Sequence, residues 1–186
     1  NMTKKVISAN IIDAAKKEFQ KRGYNETSVE DIIEAAGISA DEFLECFDDK
    51  EACCKKVLKV YEKEVKNTLS KLDEQGNPRQ RLSLYLDGYI ESAETLAEQG
   101  DPILNLYYDL RNMDNAIVEL VEGLLKLQHM WIDEQFIIML KSNSAVDQGD
   151  RLMAAVCGLL LVSKLSNDPA MLKNQIIQLK SWIRTM

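Results

Sequence analysis

The spacing of apolar residues along the chain predicts helices and no strands. Apolar positions recur every three or four residues, alternation with a period of two is absent, and glycine and proline stand where such segments would begin or end. A first helix is predicted from about Lys4 to Arg22, and Gly23 follows as its stop. The fold class predicted from this pattern is therefore all-α.

Two short helices are predicted after this first one. Thr27 followed by Glu30 has the spacing of a capping box, in which the side chains of the first and fourth residues each accept a hydrogen bond from the other residue's backbone N–H. Gly37 ends that helix, and Ser39 with Glu42 repeats the capping pattern at the start of the next one. Two short helices joined by a tight turn with a glycine indicate a helix-turn-helix.

The remaining chain predicts further helices of greater length. Asp48 is predicted to cap a long helix that runs to about Leu72. The later helices are expected at about residues 79–98, 102–110, 114–140, 146–165 and 169–186.

Composition narrows the class of protein. With 186 residues and 46% apolar side chains the chain can bury a core, whereas its net charge of −7 argues against a general polyanion binder. Four cysteines without a CxxC motif are typical of a reduced, cytoplasmic protein, and the N-terminal residues do not resemble a signal peptide. The longest apolar run, residues 152–162, is too short for a bilayer, so no membrane partner is expected.

Residues from about 5 to 51 resemble the N-terminal domain of the TetR family of transcriptional regulators. The resemblance extends over nearly fifty residues of the predicted helix-turn-helix. The matching positions are Ile11 to Ala15, Phe19, Gly23, Tyr24, Thr27 to Ile32, Ala35 to Ser39, Phe43, Phe47, Lys50 and Glu51.

The resemblance implies a repressor-like homodimer that binds a double-stranded DNA operator and responds to a small-molecule effector. It implies a helix-turn-helix DNA-binding domain at residues 1–51, a long connecting helix at 50–73, and a helical ligand-binding and dimerisation domain at 74–186. Thr27 and Lys50 would contact phosphate, and the start of the third helix would face the bases. The predicted DNA-binding residues are Lys4, Lys5, Thr27, Ala40, Asp41, Leu44, Glu45 and Lys50.

The third helix departs from the family pattern because it is acidic. Leu44 replaces the usual tyrosine, which would offer a hydroxyl to phosphate. Glu42 has a structural role in the capping box, but Asp41 and Glu45 do not. A carboxylate can accept a hydrogen bond from cytosine N4, yet it opposes the phosphate contacts that supply most affinity. We therefore expect DNA binding that is weaker or more selective than usual, with nearby lysines offsetting the acids.

Aromatic and sulfur-containing side chains predict an apolar effector site. Such residues line pockets between helices, although any one of them is more often plain core. His129, the only histidine, is expected to be a surface or hydrogen-bonded residue rather than a ligand contact. The predicted ligand-binding residues are Tyr85, Tyr89, Tyr107, Tyr108, Met113, Met130 and Trp131.

The last two helices predict a dimer interface. Apolar residues of the last helix follow a heptad spacing, and the helix before it is apolar on all sides with small residues that allow close approach. Burial against the chain's own middle helices is the alternative, but it would cover one side only. The predicted interface residues are Ala155, Gly158, Leu159, Val162, Leu172, Ile176, Leu179 and Ile183.

No motif of an enzyme or a metal site is recognisable in the sequence. HExxH, GxSxG, P-loop and dinucleotide patterns are absent, and adjacent Cys53 and Cys54 point about 100° apart on a helix, which suits chelation poorly. We expect no cofactor and no metal. Two other hypotheses stay open: a protein with the regulator fold that has lost DNA binding, and an enzyme using Asp87, Glu91 and Glu94.

Overall fold

A computed structural model describes residues 3–113 and 116–186, and its regular structure over these residues is helical, which confirms the predicted all-α class. The predicted start of a helix at Asp114 lies outside the described residues. In chain order the helices are α1 (Lys4–Arg22), α2 (Val29–Ala36), α3 (Ala40–Cys46), α4 (Lys50–Asp73), α5 (Pro78–Glu91), α6 (Ala93–Gln99), α7 (Pro102–Leu110), α8 (Ala116–Leu140), α9 (Ala145–Ser166) and α10 (Pro169–Arg184).

The predicted cap of α2 is wrong by one residue. Ser28 is the N-cap: its hydroxyl accepts a hydrogen bond from the Asp31 backbone N–H at 3.0 Å, and the Asp31 carboxylate accepts one from the Ser28 N–H at 2.9 Å. Thr27 cannot play this role because it is buried and its hydroxyl donates to the Gly23 carbonyl at 2.7 Å. Both residue pairs have capping spacing, and burial of Thr27 decides between them.

The predicted capping box of α3 is confirmed. The Ser39 hydroxyl accepts from the Glu42 N–H at 3.1 Å, and the Glu42 carboxylate accepts from the Ser39 N–H at 3.0 Å. The preceding Gly37 has a φ of 66°, a left-handed conformation that glycine adopts without steric cost. Asp49 rather than the predicted Asp48 caps α4, since its carboxylate accepts from the Ala52 N–H at 2.8 Å.

The single helix predicted at residues 79–98 is two helices. The break is at Ser92, whose ψ of 12° departs from the helical range. α5 packs against α10, whereas α6 packs against both α9 and α10. The change of direction lets each segment bury its own apolar face, which a repeat of apolar positions in the sequence does not reveal.

The helices form two compact units. The first, which we call the head unit, contains α1 to α3, α4 as far as Glu64, α7, and α8 as far as Leu124. Its fully buried side chains include Ile11, Phe19, Ile32, Phe43, Leu58 and Leu110.

The second unit, the body unit, contains the rest of α4 and α8 together with α5, α6, α9 and α10. Its core includes Leu82, Leu86, Phe136, Leu160, Leu172 and Ile176. Within the described ranges, no helix combines the length and hydrophobicity that crossing a bilayer requires.

Candidate functional site

The exposed face of α3 is the first candidate surface. α1 packs against α2 and α3, and Phe43 and Phe47 are buried with their rings 5.8 Å apart. This packing buries one face of α3 and leaves the opposite face exposed to solvent. Leu44 is 59% exposed. The outward side chains at the start of α3 and one turn later are Ala40, Asp41, Leu44 and Glu45, all of which were predicted to bind DNA.

The two carboxylates on this face are not used to hold α3 together. Glu42 closes the capping box and is half-buried, whereas Asp41 and Glu45 are exposed and form no ion pair within residues 3–113 and 116–186. Their charges therefore point to solvent, and the face is apolar only at Ala40 and Leu44. Such a surface can offer hydrogen-bond acceptors and a methyl-sized contact to a partner.

Two residues predicted to contact phosphate, Thr27 and Lys50, instead form contacts within the chain. Thr27 is only 1% exposed, so the structure removes its hydroxyl from the surface and corrects that prediction. The Lys50 ammonium donates to the Tyr24 carbonyl at 2.8 Å and lies 4.1 Å from the centre of the Tyr24 ring. Lys4 and Lys5 are exposed at the start of α1.

A contact that the sequence did not indicate joins α7 to the loop between α1 and α2 inside the head unit. The Asp109 carboxylate accepts a hydrogen bond from the Tyr24 backbone N–H at 2.8 Å. Gly23 has a φ of 84°, and a Cβ there would lie 2.9 Å from the same carboxylate oxygen. The glycine was expected only to stop α1; it also makes room for Asp109.

Three of the predicted effector residues converge in the body unit. The Tyr85 ring centre lies 5.4 Å from that of Tyr89 and 5.5 Å from that of Trp131. The Tyr85 hydroxyl donates to Gln128 at 2.9 Å and lies 2.8 Å from the Tyr89 hydroxyl, and the Trp131 indole donates to Asp73 at 2.8 Å. Burial raises the pKa of both tyrosines, which keeps their hydroxyls protonated.

The other four predicted effector residues do not join this cluster. Tyr107 and Tyr108 stack edge-on with ring centres 5.7 Å apart in the head unit, which also contains Met113. Met130 is 70% exposed. An open surface depression of about 350 Å³ in the body unit is lined by other side chains, namely Asn77, Arg79, Gln80, Ser83, Lys180, Ile183 and Arg184.

The predicted dimer residues divide into a buried, a half-buried and an exposed group. Leu172, Ile176 and Ile183 are at most 1% exposed within one chain, so they belong to its own core and the prediction of an interface role for them is wrong. The half-buried ones are Ala155, Leu159 and Leu179, and the exposed ones are Gly158 and Val162.

A continuous apolar strip does remain exposed on α9. We call it the α9 stripe; its residues recur at intervals of three or four, except for the adjacent pair Leu161 and Val162, and they are Ala154, Gly158, Leu161, Val162 and Leu165. Leu161 is 58% exposed and Leu165 is 82% exposed. Exposed apolar strips of this kind mark contact surfaces.

Two of the three carboxylates considered for an enzyme form ion pairs, and the Cys53 thiol is buried. Asp87 pairs with Lys180, and Glu94 pairs with Lys173 at 2.6 Å. Burial raises the pKa of the Cys53 thiol to about 12, so it is protonated and a poor nucleophile at neutral pH.

Comparison with known proteins gives one family. Residues 11–57 match the sequence profile of the bacterial regulatory proteins of the tetR family. The chain is 26% identical over 180 residues to an HTH-type transcriptional regulator in the lacX 3' region of Lactococcus lactis subsp. lactis, covering 92% of this chain and 90% of that protein. It is 27% identical over 133 residues to the repressor DhaR of Mycobacterium sp. (strain GP1), covering 70% of this chain and 64% of DhaR.

Solved structures agree on the fold. A TetR-family transcriptional regulator from Agrobacterium tumefaciens superposes with a TM-score of 0.86 at 19% identity, covering 96% of this chain and 98% of that one. The regulator SCO4454 from Streptomyces coelicolor gives a TM-score of 0.85 at 12% identity, covering 95% and 87%. At these identities the likeness concerns the fold alone.

Proposed function

We propose that the chain is a transcriptional regulator of the TetR type. It acts as a dimeric, cytoplasmic repressor that is released from its operator by a small apolar effector. The proposal assigns DNA binding to residues 1–51 and effector binding and dimerisation to residues 74–186. The observation that carries it is the capped α3, whose outward face is free on a head of the family type.

DNA contact through α3 follows from which side chains are free. The N-terminal residues of the second helix of such a motif face base edges, and Ala40, Asp41, Leu44 and Glu45 are exposed there. Asp41 and Glu45 offer acceptors to cytosine N4, and Leu44 offers an apolar surface to a thymine methyl group. Lys4 and Lys5 supply positive charge for phosphates.

The α9 stripe supports the proposed dimerisation. Each fully buried leucine stabilises an interface by about 1.5–3 kcal/mol, and Leu161 and Leu165 have this surface still to bury. A Cβ placed on the exposed Gly158 would meet no heavy atom within 4 Å, which leaves space for a partner helix. If a second copy presents the same stripe, the two stripes bury each other, as in isologous dimers.

Effector control is proposed to use two groups of residues. The cluster of Tyr85, Tyr89 and Trp131 supplies aromatic surface and buried hydroxyls for an apolar ligand with a polar end. In the head unit, Asp109 of α7 holds the Tyr24 backbone beside the helix-turn-helix. An effector that moves α7 would change this contact, and it shifts the equilibrium only by binding the two states unequally.

Selection of genomic DNA fragments on the purified chain at several salt concentrations tests the proposal. We expect retained fragments with an inverted repeat and an affinity that falls steeply with salt. Replacing Lys4 and Lys5 with alanine should reduce the slope of log affinity against log salt by about 2, roughly one for each lost phosphate contact. Lys63→Ala, an exposed lysine of α4, is the control and should leave the slope unchanged.

The second candidate is a regulator-fold protein that has lost DNA binding. The inward positions of Thr27 and Lys50 and the acidic face of α3 favour it. Failure to retain any fragment at low salt, from a chain that is folded and dimeric, would establish this candidate and refute the repressor.

A further inference from the structure

Three metal-ligating side chains from two helices meet in the body unit. His129 and Asp133 are one turn apart on α8, and Asp150 lies on α9. The His129 Nε2 atom is 2.7 Å from Asp150 Oδ1 and 3.7 Å from Asp133 Oδ1. The three ligand atoms all lie within 4.8 Å of one another.

These separations fit a shared ion. Ligand atoms about 2.0–2.2 Å from a zinc ion lie about 3–3.6 Å from each other in tetrahedral or octahedral geometry. One observed distance is slightly shorter than that range and the other slightly longer. The third separation, between the Asp133 and Asp150 oxygens, is at most 4.8 Å, so side-chain rotations would bring all three atoms to bonding distance of one ion.

An unsatisfied oxygen points to the ligand independently of these distances. Asp133 Oδ1 is buried and accepts no hydrogen bond from any described residue. The His129 Nε2 atom, at 3.7 Å, is beyond hydrogen-bond distance of this oxygen. A buried carboxylate oxygen without a hydrogen bond is costly, and a cation would compensate that cost. Gly149 of α9 creates the space, because a Cβ there would lie 2.0 Å from this oxygen.

We propose that His129, Asp133 and Asp150 bind one divalent transition-metal ion, such as Zn²⁺, that joins α8 to α9. One imidazole nitrogen and two carboxylate oxygens form a donor set of intermediate softness, which suits such an ion better than Ca²⁺ or Mg²⁺. Water completes the coordination, since His129 and Asp150 are partly exposed. The site is invisible in the sequence because Asp150 is 21 residues from His129.

Titration of the tag-free, full-length chain with Zn²⁺ alone tests the proposal by calorimetry. Cys46→Ser with Cys157→Ser is the background, because both thiols are partly accessible. We expect one ion per chain, with the dissociation constant raised at least about tenfold by Asp133→Asn and by His129→Gln. The matched controls are the exposed neighbours Glu134→Gln on α8 and Asp147→Asn on α9, which should bind as the background does.

Circular dichroism of each variant checks that it is folded. If Asp133→Asn is unfolded, the affinity of His129→Gln alone decides the test. Absence of saturable binding by the background chain would overturn the proposal. So would equal affinity in the ligand and control variants, since binding would then arise from surface charge or from other residues.

Discussion

The head and body units expose surfaces of opposite chemistry. The helices that carry these surfaces are also stabilised in different ways. The head presents two carboxylates on a seven-residue helix fixed by a capping box and a left-handed glycine. The body presents an apolar stripe on α9, a helix of 22 residues whose opposite face is buried at Leu152, Val156 and Leu160. A charged face is stable in water and suits a transient partner, whereas exposed apolar area favours permanent burial at roughly 25 cal/mol per Å².

The largest expected effect is on the stripe. Leu161→Glu with Leu165→Glu should raise the dissociation constant of the dimer at least about 100-fold, since two leucine contacts of about 1.5–3 kcal/mol each are lost and charges are placed in an apolar contact. Analytical ultracentrifugation measures this constant. Val146→Glu, an exposed apolar position at the start of α9, is the control. An unchanged dimer would show that the stripe is not the interface.

Substituting one glycine in each unit compares a glycine in a positive-φ conformation that only glycine adopts with a glycine inside a helix. Gly23→Ala should lower the free energy of unfolding by about 1–3 kcal/mol, because its φ of 84° with a ψ of 166° is a conformation restricted to glycine. Gly88→Ala, in the middle of α5 with nothing within 4 Å of the added methyl group, should instead stabilise by about 0.5–1 kcal/mol. Denaturant titrations measure both. The same sign for both variants would contradict this distinction.

Neutralising the charged face is the next smaller change. Asp41→Asn with Glu45→Gln should tighten non-specific DNA binding about 30-fold, since each carboxylate near a phosphate costs about 1 kcal/mol in water. Fluorescence anisotropy with random duplex DNA measures the change. Glu119→Gln with Asp147→Asn removes the same charge from exposed positions elsewhere. If both pairs tighten binding equally, net charge rather than the α3 face is responsible.

The smallest effect concerns the cap of α2. Hydrogen bonds from the Ser28 backbone and hydroxyl hold the pKa of Asp31 below its ordinary value. A lowered pKa in the folded state adds stability above the unfolded pKa, and this contribution disappears as pH falls through the folded value. Asp31→Asn should therefore reduce the difference between the denaturation midpoints at neutral and acidic pH. Glu30→Gln, in the same turn, is the control and should leave this difference unchanged. An unchanged difference in Asp31→Asn would contradict the capping role.

The same contrast explains what could be read from the sequence. On α3 the capping pair, the glycine and two phenylalanines fix which face is buried, so the exposed set was predictable. On α10 the heptad pattern predicted a dimer interface that includes Leu172 and Ile176, but the structure places both in the chain's own core. Periodicity identifies an apolar face; it contains no information on which surface covers that face.

Hydrogen bonds between side chains and the backbone outside the helix caps were likewise beyond the sequence. The Asp109 carboxylate accepts from the Tyr24 N–H 85 positions away, and the Thr27 hydroxyl donates to the carbonyls of Gly23 and Glu18, four and nine positions away. Neither pairing leaves a local pattern. The residues of the effector site were predicted from their side-chain type and not from their position in the fold. Of these, only Tyr85, Tyr89 and Trp131 lie in one cluster.

Footprinting on a selected operator fragment tests the central claim most directly. If two chains joined through α9 present two copies of α3, the chain should protect two symmetric half-sites whose centres are about 34–36 Å apart, or a multiple of that distance. The double variant at Leu161 and Leu165 should lose both protections together. A single asymmetric protection, or one that persists in that variant, would contradict the account.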